Sequence, residues 1–368
     1  MNKIRLLAFY LPQYYPTETN NKWYGEGFTE WTNVRKAQSL FKEHYQPKKP
    51  TPFLGYYDLR NADVREKQVE LAKKSGIEGF VYYHYWFGEG RRELDMPFKE
   101  VVKSKSPDFP FCLCWANQSW YSKFWNNDIE CEHKLIVEQK YDNEKWIEKH
   151  FYSLLEAFCD ERYIRVDGRL LFMIYRPLEY VGGVNSFMDK WNNLAIENGL
   201  KGFYFVGQAT SDDDAQKILG IGFDGVNIVR KDDFLKSKRY SNVFVKCYNK
   251  FLRLLGQAPY HYNYEKIYKF FVQVNGIEKE AGVFPTLIPN WDHSPRSGKR
   301  GSVFFNATPS NFEKHVNSVV DLLKKKNVSE DNNLVFLKSW NEWGEGNYVE
   351  PCERYGMGYL DVLKKYFS

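Results

Sequence analysis

Three carboxylates, Glu342, Glu345 and Glu350, fall within the short stretch from Leu334 to Pro351, beside Trp340, Trp343 and Tyr348. Paired carboxylates suit glycosidic bonds, where one acid protonates the leaving oxygen while another group attacks or stabilises the sugar cation. Indole and phenol rings add flat apolar faces with a polar edge, on which a sugar ring can lie. A lone loop Glu would read as a solvated acid. Here Trp340, Trp343, Gly344 and Gly346 interleave with the acids, and that pattern argues for a built site.

The apolar run Leu334 to Leu337 is long enough for a buried strand and too short for a helix. Gly344 and Gly346 then break any regular element. A buried strand that runs into such a loop is how an α/β barrel presents catalytic groups. The strand that opens on this run is predicted over Leu334–Trp340, and similar apolar runs predict strands over Ile4–Tyr10, Gly79–Trp86, Phe109–Trp115, Arg169–Tyr175, Gly202–Ala209, Phe223–Val229 and Val283–Ile288. Helices are predicted over Asp63–Ser75, Pro97–Val102, Asn143–Cys159, Ser186–Asn198 and Pro309–Lys325, and a further one starts at Ser211. Eight strands alternating with helices predict a closed (β/α)8 TIM barrel. It is expected to be one domain over residues 1–368, with long βα loops and a basic, Tyr-rich insertion at about 230–280. An open doubly wound sheet would show a Gly-rich phosphate loop after its first strand. Tyr10-Leu-Pro-Gln-Tyr14 is not one.

On a barrel the C-terminal strand ends meet on one face. They would gather Tyr10, Gln13, Tyr83, His84, Trp86, Trp115, Asn117, Gln118, Tyr175, Arg176 and Gln208. Trp291, Asp292, Asn341, Glu342 and Glu345 would join them. Asn, Gln and Arg are hydroxyl partners, and Trp and Tyr can stack on a pyranose, so the composition is that of a sugar site. His84 alone would more often be a structural histidine, and it is the strand-end position that argues for a place in the site. His84 and Asp292 carry no metal-ligand spacing, and neither a metal nor a cofactor is expected.

Aromatics make up 18% of the 368 residues, with 11 Trp and 27 Tyr, more than a core needs. The net charge of +5 and the absence of a long Lys/Arg run argue against a nucleic-acid surface. No apolar stretch approaches the ~18 residues of a membrane span. None of the six cysteines forms a C-x-x-C pair. Cys112 and Cys114, two apart on one strand, read as small core residues. The apolar run before Pro12 is too short for a signal peptide, so a reduced, cytoplasmic protein is expected.

Four segments carry a resemblance: Tyr82-Tyr-His-Tyr-Trp-Phe87, Phe109 to Asn117, Trp291-Asp-His-Ser-Pro-Arg296 and Trp340-Asn-Glu-Trp-Gly-Glu-Gly346. Together they resemble the WbsX family of polysaccharide-biosynthesis proteins, from Leu7 to about Gly358. That family is similar to glycoside hydrolase family 99, the endo-acting α-mannosidases and mannanases. The more distant similarity rests on the barrel, the Trp-Asp-x-Ser/Thr-Pro-Arg segment and the Asn-Glu-Trp-x-Glu-Gly loop.

The resemblance implies that Glu342 and Glu345 carry the chemistry, with retention of configuration. Glu342 would act as a base on the sugar's own 2-hydroxyl, giving an epoxide-like anhydrosugar, and Glu345 as acid and then base. It adds Arg296, Trp343 and Tyr348 to the expected substrate-binding set. Gly344 stands where the hydrolases are expected to carry a His. The expected partner is an oligo- or polysaccharide cleaved or transferred at α-glycosidic, mannoside-like bonds. A WbsX-type glycosyltransferase acting in O-antigen or capsular polysaccharide biosynthesis and using an activated donor is the alternative. Asp212-Asp213-Asp214 formally offers an Asp-x-Asp, although after Ser211 it also reads as an acidic first turn. A catalytically silent glycan-binding protein is a third alternative, against which the intact acid pair argues.

Overall fold

The computed structural model describes residues 3–121, 134–141, 143–242, 247, 250–251 and 260–368. Eight strands form its centre: β1 (Arg5–Tyr10), β2 (Gly79–Trp86), β3 (Phe111–Trp115), β4 (Arg169–Ile174), β5 (Phe203–Ala209), β6 (Gly225–Ile228), β7 (Val283–Leu287) and β8 (Leu334–Leu337). Each pairs in parallel with its neighbour in sequence, and β1 also pairs with β8, which closes the ring. The chain is a closed (β/α)8 barrel. Its strands are mostly apolar because the barrel interior covers one face and helices cover the other, with His84, Gln208, Asn227 and Thr286 as buried polar exceptions.

Among the described residues nine helices have seven residues or more: α1 (Glu18–Tyr24), α2 (Glu30–Lys36), α3 (Ala62–Lys74), α4 (Met96–Ser104), α5 (Glu144–Tyr152), α6 (Val184–Glu197), α7 (Asp212–Gly220), α8 (Pro309–Lys325) and α9 (Gly358–Phe367). Polar residues start several of them. The Ser211 hydroxyl accepts from the Asp214 amide at 3.2 Å, and Thr308 caps α8 ahead of Pro309. The long segment after β1 holds α1 and α2 and lines the open end of the barrel. The β6–β7 connection is anchored by buried Arg230, which bonds Glu278 at 2.5 Å and Asp233 at 2.9 Å. The sequence also predicts an aromatic loop through Trp125, between the third strand and Asn143, and Trp125 lies outside the described residues.

Side-chain direction along the strands decides what reaches the site. In β2, Tyr83 and Tyr85 face the barrel mouth, whereas Tyr82, His84 and Trp86 face the helices. The register pairs His84 with Trp115 and Tyr10 with Tyr82. Paired residues share a face, so Tyr10, His84 and Trp115 all point outward.

Candidate active site

A cleft of about 890 Å³ opens at the C-terminal ends of the strands. Of the residues expected there, Gln13, Tyr83, Gln118, Tyr175, Arg176, Gln208, Trp291, Arg296, Glu342 and Glu345 line it. Glu342 follows β8 and is 4% exposed. Ser339 Oγ accepts from its backbone N–H at 3.2 Å. Burial lifts its carboxyl from 4.5 to about 7 and Glu345 adds to the rise, while Lys338, Arg296 and the Tyr83 hydroxyl oppose it. Glu345 sits one helical turn on, paired with Arg296. Arg296 Nε also bonds Glu30 Oε1 at 2.7 Å.

Between the two acids Trp343 turns the other way. Its ring stacks on Tyr348 with centroids 3.6 Å apart, and its Nε1 donates to Glu350 at 2.6 Å. Glu350 is fully buried, accepts further from Gln68 at 2.7 Å and Tyr57 at 3.0 Å, and is raised to about 7 by burial. It braces the loop from below and takes no place in the cleft. Gly344 is where the loop demands a glycine, because a Cβ there would lie 1.5 Å from Glu30 Oε1.

Nine expected residues do not line the cleft. Tyr10 donates to Gln68 under α3 at 2.7 Å. His84 bonds His150 of α5 at 2.8 Å and burial pushes it down to about 3. Trp86 stacks on that His150 at 4.5 Å, and Trp115 donates to the Trp86 carbonyl at 3.0 Å. These four sit on the outer strand face, so their strand-end position did not bring them to the mouth. The Asn117 amide ties its loop to Arg176, with its Nδ2 donating to the Arg176 carbonyl at 2.9 Å. Asn341 accepts from the Leu11 amide at 2.7 Å and donates to the Leu11 carbonyl at 3.0 Å. Trp343 packs beneath the acid loop. Asp292 and Tyr348 line a separate cavity of about 470 Å³. Burial opposes the charge of Asp292, but Lys48, His44 and Ser294 outweigh it and hold the carboxyl well below its usual range. His84 and Asp292 are therefore not neighbours.

Tyr85, Trp120, Lys338 and Glu30, which were not among the expected residues, also line the cleft. Tyr85 is findable by alternation from Tyr83. Lys338 announces itself as a cation at the end of an apolar strand. Its Nζ donates to the Tyr83 hydroxyl at 2.8 Å and lies 5.5 Å from the ring centroids of Phe9, Tyr83 and Tyr175. Trp291 is supported by a satellite cluster that includes Phe234, Phe271 and Phe304, and Lys231 Nζ lies 4.4 Å from its ring centroid.

A closed barrel with two neighbouring glutamates in an aromatic-lined mouth has the layout of glycoside-processing enzymes. The chain belongs to the family described as Glycosyltransferase WbsX, matched over residues 6–363. Its curated relatives include "Uncharacterized protein WxcX" from two strains of Xanthomonas campestris pv. campestris. The B100 protein is 29% identical over 374 residues, covering 98% of this chain and 49% of the relative. The ATCC 33913 protein is 30% identical, with the same coverage. The chain thus spans about half the length of the curated relatives it matches. Among solved structures, a glycoside hydrolase-like protein superimposes with TM-score 0.62 at 14% identity, over 100% of this chain and 95% of that one. The GH99 endo-alpha-mannosidase from Bacteroides thetaiotaomicron gives 0.57 at 12% identity, over 100% and 97%. These likenesses show a shared barrel. No helix among the described residues is long and apolar enough to cross a membrane.

Proposed function

We propose that this protein is an enzyme of glycan metabolism that breaks or transfers α-glycosidic, mannoside-like bonds of an oligo- or polysaccharide with retention of configuration, using Glu342 and Glu345. The observation that carries this is the placement of Glu342, a buried carboxyl 3.9 Å from Lys338 Nζ, and Glu345 in one aromatic-lined cleft at the strand ends, and burial raises the pKa of Glu342 above the usual carboxylate range. A general base works best when its pKa lies near the operating pH. Glu342 takes the proton of the 2-hydroxyl, whose oxygen attacks the anomeric carbon as the glycosidic bond breaks. Glu345 gives its proton to the leaving oxygen. In the second half Glu345 takes a proton from water or an acceptor hydroxyl, which attacks the anomeric carbon, and Glu342 returns its proton to O2. Tyr83, Tyr85, Tyr175 and Trp291 offer stacking faces, and Gln13, Gln118, Gln208 and Arg176 offer hydroxyl partners.

The family's description favours a second reading, transfer from an activated sugar donor. A metal-binding role for the Asp212–Asp214 run finds competing partners in place. Asp212 is paired with Arg230, and Asp213 with Lys217 at 2.6 Å. Incubation of the protein with α-mannan oligosaccharides, with and without nucleotide sugars and magnesium, separates the two. Products formed from glycan alone support the first reading; products that require the nucleotide sugar support the second.

A further inference from the structure

Arg296 is shared between two acids. Its Nε bonds Glu30 at 2.7 Å and its NH1 bonds Glu345, and the Arg296 and Glu30 side chains are 15% and 3% exposed. A guanidinium with one carboxylate partner holds that partner ionised. It would also be stranded without a counter-charge in a buried site whenever the partner took up a proton, a costly state. An acid–base residue must do so once in every cycle. We propose that Glu30 is the standing counter-ion of Arg296, a positioning residue that lets Glu345 gain and lose a proton beside a guanidinium; this rests on the acid–base role proposed for Glu345.

The loop is shaped for this arrangement. The Glu30 carboxylate occupies the space where a side chain at position 344 would begin, since a Cβ on Gly344 would lie 1.5 Å from Glu30 Oε1 and 3.0 Å from Arg296 Nε. A glutamate on the first turn of a helix ordinarily points to solvent. This one is turned inward against the catalytic loop. Burial alone would weaken the charge of Arg296, and Glu30 and Glu345 together reverse that. The Glu345 carboxyl is faced by Arg296 from the Ser294–Ser297 turn, Glu30 from α2, and Lys338 and Glu342 at the end of β8. Tyr14, from the loop after β1, interacts with Glu30 and Arg296, and Tyr85, from β2, with Glu342 and Arg296. Only Glu30 changes in the variants below, so a shift in Glu345 reports its charge.

The test follows the Glu345 carboxyl by NMR of protein labelled with 13C at glutamate carboxyls, its resonance identified by its loss in Glu345→Gln. In Glu30→Gln the Glu345 midpoint should move to lower pH by about one unit or more, the scale of one nearby charge at an effective dielectric of about 20. Glu30→Asp keeps the charge but draws it back, and should give a smaller fall in the same direction. Should Glu30→Gln not fold, the fall in Glu30→Asp carries the test. A midpoint unmoved or raised in the folded variants overturns the proposal. The titration needs no turnover, so a wild-type protein inert toward glycans would sink the functional reading separately.

Discussion

Lys338 Nζ lies 3.9 Å from Glu342 Oε1, so one end of β8 places a buried cation against a buried acid. Burial works against the charge of Lys338, but Glu342 above all pulls it back up. The partnership runs both ways, because Lys338 opposes the rise that burial imposes on Glu342. If Glu342 is a base it must be ionised, and Lys338→Met should make it bind its proton more tightly. The acid limb of kcat/KM should then move to higher pH by about one unit. At pH 6 the variant should lose about tenfold, and near pH 9 it should approach wild type. A pH–rate profile whose acid limb stays in place would remove Lys338 from this role.

Gly344→Ala puts a methyl where Glu30 Oε1 now lies, 1.5 Å from the new Cβ. Glu30 and Arg296 must shift, and with them Glu345. The expected cost is about 1–3 kcal/mol of stability, as for other overpacked sites, with a fall in turnover. Glu30→Ala clears the same space, so the double variant should be more stable than the sum of the singles predicts. Thermal or urea unfolding of the four proteins measures this coupling. Strict additivity would show that the loop does not depend on this approach. The same crowding says why a His, expected here in the hydrolases, does not fit this chain.

Much of the barrel is legible in its apolar runs. Gly79–Trp86 and Pro309–Lys325 coincide with the observed elements, and the other strand ends lie within two residues of the predicted ones, except that β8 stops at Leu337 and not at Trp340. Facing was harder to read. A strand buried on both sides carries no polar marker for its inner face, and β2 is aromatic on both, with Tyr83 and Tyr85 inward and His84 and Trp86 outward. The acid pair was legible because its loop is short and punctuated by glycine. Glu30 was not, because its role depends on the space left by Gly344 at the far end of the chain, and a sequence does not display a missing Cβ's neighbours. Asp292 was expected in the cleft, but it lines the separate cavity, where its partner Lys48 comes from a Pro-rich segment whose lack of periodicity gives no sign of the pairing.

Glu345→Gln should abolish turnover while leaving glycan binding largely intact. The amide is nearly isosteric and can still meet Arg296 through its oxygen, but it cannot donate and recover a proton. General acid–base help is worth roughly 10² to 10⁴ in rate. Substrates with activated leaving groups, which need less protonation, should recover part of the loss. Binding by calorimetry alongside kcat on both substrate types checks this. A folded variant with the wild-type rate on an unactivated glycan would end the assignment.

The most exposed expectation concerns the partner of that acid. A base working through the substrate's 2-hydroxyl lies beside that hydroxyl, whereas a conventional retaining nucleophile lies behind the anomeric carbon, with the two carboxyls roughly 5–5.5 Å apart. A carboxyl lifted to about 7 suits the first role better, because it can both accept and return a proton near neutral pH. The two roles make different demands on the substrate. A 2-deoxy or 2-fluoro analogue has no hydroxyl to recruit, so the anhydrosugar route fails with it. A conventional nucleophile could still attack, and a 2-fluoro sugar with a good leaving group would accumulate as a glycosyl ester on Glu342. Intact-protein mass spectrometry should therefore find no adduct, and cyclitol mimics of the anhydrosugar should bind tightly. A stable mass increase mapped to Glu342 would recast it as the nucleophile, with Glu345 still serving as acid and base.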